Sequence, residues 1–174
     1  KFVQEHFTDG LVLVVGSGLS TAEGVPGMPA LADHLIAAAS VLTGEDRDLW
    51  AKIAASLAAK EGLEAALLKH QPTETLEVWI GRETSQCLGP KEREIVNAVV
   101  SGKRTLRLTE LLKRVLKSPS GLPILTPNYD RLIEVACEMA GLHVDTTACG
   151  IYAGTFDHKR SMMASCRAIR QTGK

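Results

Sequence analysis

Several things are scarce in this 174-residue chain, and each scarcity closes off a class of protein. Aromatic residues make up only 4% of it, so a core must be built from Ala, Leu, Val and Ile. Lys and Arg number 20 and so do Asp and Glu, which leaves no net field to recruit nucleic acid or an anionic membrane. The short basic group Lys103, Arg104 and Arg107 reads as a solvated helix face. No apolar run approaches the ~20 residues that a membrane-spanning helix needs. The four cysteines, Cys87, Cys137, Cys149 and Cys166, include no Cys-x-x-Cys pair, so zinc-ribbon and redox-motif spacing is missing. With no signal peptide, free thiols in a cytoplasmic protein are the simplest expectation. The chain begins with Lys and stops at Gly173-Lys174 without a closing element, as a piece of a longer protein would.

What is present alternates between strand and helix signals. Leu11–Val15 is an unbroken apolar run with three β-branched residues, ended by Gly16, and predicts a strand buried on both faces. A loop over Gly16–Pro29 precedes a helix from Ala30 to Leu42. Residues from about 46 to 117 are helical in pattern, with breaks expected near Gly62 and Ser101-Gly102 and further punctuation at Pro72, Gly81 and Gly89-Pro90. Pro123–Thr126 predicts a second short strand. Asp130 then caps a helix that Gly141 ends. Leu142–Val144 reads as a third strand, Thr146–Gly154 as loop and Asp157–Arg170 as a final helix. The expected fold class is therefore α/β: a Rossmann-like parallel sheet with a helical insertion between the first strand–helix unit and the Asn-Tyr-Asp strand. The expected organisation is one domain over residues 1–174 with a helical subdomain at about 46–117.

Two motifs carry chemistry. Gly16-Ser17-Gly18-Leu19-Ser20 follows the first strand, where closely spaced glycines let backbone N–H groups approach a pyrophosphate and Ser20 adds a hydroxyl. Thr21 stands where the ordinary dinucleotide fingerprint has its third glycine. Thr126-Pro127-Asn128-Tyr129-Asp130 ends the second strand. In open α/β sheets ligands sit beyond the carboxyl ends of strands, so both polar clusters are expected to face one crevice.

These residues, with Gly24-Val25-Pro26 between them, resemble the sirtuin-like NAD⁺ hydrolase domains of bacterial anti-phage defence proteins, over about Leu11–Leu142. Sirtuin deacylases share the pattern as Gly-Ala-Gly-Ile-Ser, Gly-Ile-Pro and Thr-Gln-Asn-Ile-Asp. The resemblance implies that Gly16, Ser17, Gly18 and Ser20 line the NAD⁺ phosphates and adjoining ribose. It implies that Thr126, Asn128 and Asp130 belong to the same site, Asn128 as the catalytic residue that orients an attacking water or ribose hydroxyl. Asp130 would brace that loop. NAD⁺ would be substrate, and no metal is expected.

The zinc-holding cysteine pairs and the Phe-Arg of the deacylases are missing, since Gly27-Met28-Pro29-Ala30 follows Pro26. That favours NAD⁺ hydrolysis over deacylation. The family's catalytic His-Gly pair is also missing, which places that histidine beyond Lys174 or at His158; His158 otherwise reads as a surface residue, and His143 as a packed strand residue. The resemblance further implies a homo-oligomer, acting with a partner ATPase such as HerA or with a fused sensor domain.

Two other readings stand beside this one. The domain would bind NAD⁺ or ADP-ribose without cleaving it, as a sensor or assembly module. Alternatively, Gly18-Leu19-Ser20-Thr21-Ala22 approximates a nucleophile elbow, which would make the chain a serine hydrolase with Ser20 as nucleophile and Asp145 or Asp157 with His158 as partners.

Overall fold

A computed structural model describes residues 13–115, 124–142, 144–150 and 165–171 of the chain. It divides them into two compact units, one helical and formed by residues 26–91, the other formed by 13–25 with residues from 92 onward.

The helical unit contains α2 (Met28–Ala38) with a following 3-10 turn (Ala39–Val41), α3 (Gly44–Ala58), α4 (Leu63–His70) and the first two-thirds of α5 (Glu74–Val100). Its core is Leu31, Leu35, Leu42, Trp50, Ile53, Leu63, Ala66, Leu67, Leu76, Trp79 and Ile80. In α5 the buried positions 76, 79, 80, 83 and 84 recur at helical spacing, which lays one stripe of the helix on that core. Trp50 and Trp79 meet edge to face with ring centroids 5.2 Å apart, so two of the chain's few aromatics stack their area in one place.

Sequence punctuation overstated the breaks here. The α5 helix runs through Gly81 and Gly89-Pro90 without interruption. Pro90 forfeits one backbone hydrogen bond and crowds the carbonyl four residues back. Burial of Leu76, Trp79 and Ile80 before it, and of Ile95 and Val99 after it, outweighs that cost.

The start of α5 is tied to the start of α3 by Asp46. Its carboxylate accepts the Thr73 hydroxyl at one oxygen and the Thr75 hydroxyl, at 2.6 Å, at the other. Thr73 Oγ1 in turn accepts the Leu76 N–H. These bonds, Thr73 first and then Thr75, favour the charged form and hold the Asp46 carboxyl below its ordinary value of 3.8. A carboxyl depressed in the folded state stabilises the fold above its unfolded pKa, and loses that contribution as pH falls through the folded value. The urea midpoint of Asp46→Asn is therefore expected to lie below that of the wild type at about pH 7, and by less at a pH below 3.8. An equal gap at both would show that the carboxylate charge contributes nothing.

The second unit carries α1 (Ser17–Ala22), the end of α5, α6 (Arg107–Val115), α7 (Leu132–Met139) and a four-stranded sheet. The strands are β1 (Leu13–Val14), β2 (Ile124–Thr126), β3 (Val144–Gly150) and β4 (Ser165–Gln171), in the order β1-β2-β4-β3. Only β1 and β2 pair in parallel; β2 with β4, and β4 with β3, are antiparallel.

The expected Rossmann-like parallel sheet is thus contradicted: the described residues are mostly helical and hold a single parallel pair. Two further segments differ from their sequence reading. Thr146–Gly150 read as loop but lies in β3, and Ser165–Arg170 read as helix but lies in β4. Val144, Thr146 and Thr147 are β-branched and suit a pleated surface. The strand character of β4 comes from its two neighbours, because Ile124 and Thr146 both take Ile169 as partner. Gly16–Pro29 is also more ordered than a loop, holding all of α1 and the start of α2.

The N-terminal end of α7 departs from its expected signal: Arg131, not Asp130, is the N-cap and makes no side-chain cap bond, while Asp130 Oδ1 accepts the Leu132 N–H at 3.1 Å one residue further back. Gly141, at φ +76°, closes α7 with its N–H on Glu138 O while Leu142 N–H reaches Cys137 O, the paired bonds of a glycine-terminated helix. Gly24, at φ +98°, closes α1 in the same way through Thr21 O and Ser20 O.

Candidate functional site

Parallel neighbours run in the same direction, so β1 and β2 deliver their carboxyl ends to one edge of the sheet. The Val15 N–H donates to Leu125 O at 2.9 Å and extends that pairing up to the first motif. The Gly16–Ser20 turn and the Thr126–Asp130 loop therefore leave the sheet side by side, although 112 residues separate Gly16 from Asn128.

Asn128 makes the junction. Its Nδ2 donates to Gly16 O at 3.1 Å and to Ser20 Oγ at 3.0 Å, which uses both amide protons. A carbonyl only accepts, so Gly16 O fixes which end of the amide faces it. The other end, Oδ1, is buried and has no hydrogen-bond partner among the described residues. Leaving a buried acceptor unpaired costs about 1–3 kcal/mol. A buried acceptor left without a partner calls for an explanation.

The remaining motif residues divide into an outer and an inner set. Gly16, Ser17 and Gly18 are exposed. A Cβ added at Gly16 or Gly18 would meet nothing within 4 Å, and neither glycine has a positive φ. Neither backbone strain nor packing inside the protein therefore demands glycine at these two positions. Ser20, Thr126, Asn128 and Asp130 are buried. Thr126 Oγ1 accepts the Asn128 N–H at 3.1 Å, which turns the chain sharply after β2 and sets the asparagine's height. Asp130 holds the far side of the loop by accepting the Leu132 N–H at the start of α7.

No protein-family model matches the chain, and no curated protein or solved structure matches it. What the site can do is therefore argued from its own geometry.

Ser20 lies inside α1, is 2% exposed and has its hydroxyl engaged by Asn128. A nucleophile elbow presents its serine on the strand-to-helix turn itself, which here falls at Val15–Gly16. The proposed partners Asp157 and His158 lie outside the described residues, as does His143, and of Asp145 only the β3 backbone is described. Among the described residues no group of three or more His, Cys, Asp or Glu is placed to hold a metal ion, and no helix is long and apolar enough to cross a membrane.

One supporting feature went unread in the sequence. Glu23, 4% exposed, follows α1 and accepts Arg104 Nη2 at 2.6 Å and the Arg107 N–H at 2.8 Å; its backbone carbonyl accepts Arg104 Nη2 at 2.7 Å. Arg104 is thus a strut for the helix bearing Ser20, not part of a solvated basic face. Glu23 and Arg104 are 81 residues apart, and nothing local to either reports the pairing.

Proposed function

We propose that this chain binds NAD⁺ at the Gly16–Ser20 turn and Asn128, and that it cleaves the bond between nicotinamide and ribose to release nicotinamide and ADP-ribose. The observation that carries the reading is the Asn128 amide, with both protons committed to the first motif and Oδ1 unpartnered beside the exposed Gly16–Gly18 lip. The likeness of the three ordered motifs to the sirtuin-like defence domains supports it further. The proposal rests on these residues and on the β1–β2 junction, and needs no larger parallel sheet.

In this mechanism the glycosidic bond breaks through an oxocarbenium-like transition state. The nicotinamide ring already carries positive charge and leaves as a neutral molecule. The protein's work is to hold a water beneath C1′ and to surround the developing cation with fixed dipoles. Asn128 suits that task because Oδ1 accepts from a water or a ribose hydroxyl without titrating, and its rotamer is already locked by two hydrogen bonds. Gly16 and Gly18 leave the phosphates free access to the backbone.

The test is to incubate the protein with NAD⁺, with and without the product of its neighbouring gene, and to follow both products by chromatography. Nicotinamide and ADP-ribose are expected in equal amounts. Binding without release of either would favour the sensor reading, and labelling of Ser20 by a fluorophosphonate would favour the hydrolase.

A further inference from the structure

We propose that Cys149 and Cys166 form a reversible disulfide that clamps β3 to β4 when the surrounding thiol pool becomes oxidised. The two residues are direct partners in the antiparallel ladder, on the rung before its final pair, Gly150 with Ser165. Directly opposed residues share a face of the sheet, and their Cα atoms are about 4.5–5.5 Å apart. A disulfide spans a Cα separation of about 4.4–6.8 Å, a range that includes the spacing of directly opposed residues in such a ladder.

The adjoining rung gives the bond a place of consequence. Arg167 is paired on one side with Ala148 and on the other with Thr126, the last residue of β2 before the Asn128 loop. The cysteine rung therefore lies one step beyond Thr126, at the end of the sheet from which that loop departs. A bond there fixes the strand that flanks β2 at its carboxyl end.

The oxidant is a small-molecule disulfide such as oxidised glutathione. One cysteine thiolate attacks a glutathione sulfur, forming a mixed disulfide and releasing one glutathione thiolate. The second cysteine thiolate attacks the protein sulfur of that mixed disulfide and expels the other glutathione thiolate. Two electrons pass from the cysteine pair to glutathione disulfide, and the two thiol protons end on two glutathione molecules.

The other two cysteines serve as internal controls. Burial pushes the Cys137 thiol up to about 12, with Glu134 and Glu138 adding to the effect, and burial also raises Cys87. Both are poor nucleophiles at neutral pH.

The experiment is to reduce the whole chain, treat it with excess glutathione disulfide, block remaining thiols with iodoacetamide and digest it without reduction. Mass spectrometry should find the Cys149 and Cys166 peptides joined within monomeric protein, two hydrogens lighter than the reduced pair. In Cys166→Ser, Cys149 should stop at the mixed glutathione disulfide. The proposal is overturned if each cysteine of the wild type carries its own glutathione or stays alkylatable, or if Cys166→Ser still joins Cys149 to Cys87 or Cys137. None of these readings involves NAD⁺, so they succeed or fail independently of the proposed activity.

Discussion

Asn128→Asp is expected to lower nicotinamide release by at least about 100-fold at saturating NAD⁺, the size of effect that follows when a reacting group is misplaced by an ångström or a fixed dipole is lost. The change keeps the side chain's shape but removes the donor. An oxygen would then face Gly16 O, acceptor against acceptor, where Nδ2 now donates at 3.1 Å. The carboxylate must turn away, and the Oδ1 that would hold water or ribose moves with it. Some stability is lost as well, on the order of 1–3 kcal/mol for unpaired buried groups, so circular dichroism must show that the variant is folded. Ser20→Ala is the companion measurement. It deletes one of the two amide contacts and leaves the Gly16 anchor, and its rate should fall by less than about tenfold. Equal rates for Asn128→Asp and wild type would remove Asn128 from the mechanism.

Arg104→Ala should be the most damaging charge removal in the sheet-bearing unit, with a cost of about 2–3 kcal/mol. Deleting one partner of a buried ion pair typically costs somewhat more, but the Arg104 side chain is 35% exposed and solvent recovers part of the loss. What remains is Glu23, with its side chain 3% exposed and two donor contacts from Arg104 gone, held by the Arg107 N–H alone among the bonds that now reach its carboxylate. Because Glu23 adjoins the turn that ends α1, the loss loosens the helix that presents Ser20 to Asn128. Replacing both partners, Glu23→Met with Arg104→Met, should cost less than Arg104→Ala, since no charge is then stranded. Urea unfolding of the two variants and the wild type settles the order. A double variant worse than the single one would mean that the pair contributes net attraction and not merely mutual neutralisation.

Local signals were the legible ones. The short strands β1 and β2 and the Gly141 stop depend on residues within a few positions of the feature they set, although β1 is not buried on both faces as expected, since Val14 is exposed. Pairing was not legible. The alternation of strands and helices suggested a parallel sheet, yet it says nothing about which strands are neighbours, and β4 inserts between β2 and β3. Helix continuity through Pro90 was hidden for a related reason: Leu76, Trp79 and Ile80, ahead of it, are buried against residues of distant segments such as Leu35 and Ile53. In the site, residue types pointed to the Gly16–Ser20 turn and to Asn128 as belonging together. They did not reveal that Asn128 spends both amide protons on that turn while its Oδ1 stays buried with no hydrogen-bond partner among the described residues.

Gly18 separates a role in folding from a role in binding. Gly18→Ala introduces a methyl group into open space within α1, so melting should stay unchanged or rise, by up to ~1 kcal/mol in stability. If the NAD⁺ phosphates lie against that backbone, the same methyl group obstructs them. Calorimetric titration of NAD⁺ into wild type and Gly18→Ala should give saturable binding to the first and at least about tenfold weaker binding to the second, a loss of roughly 1.4 kcal/mol. The same affinity for both proteins, or no binding to the wild type, would contradict an NAD⁺ site at this turn.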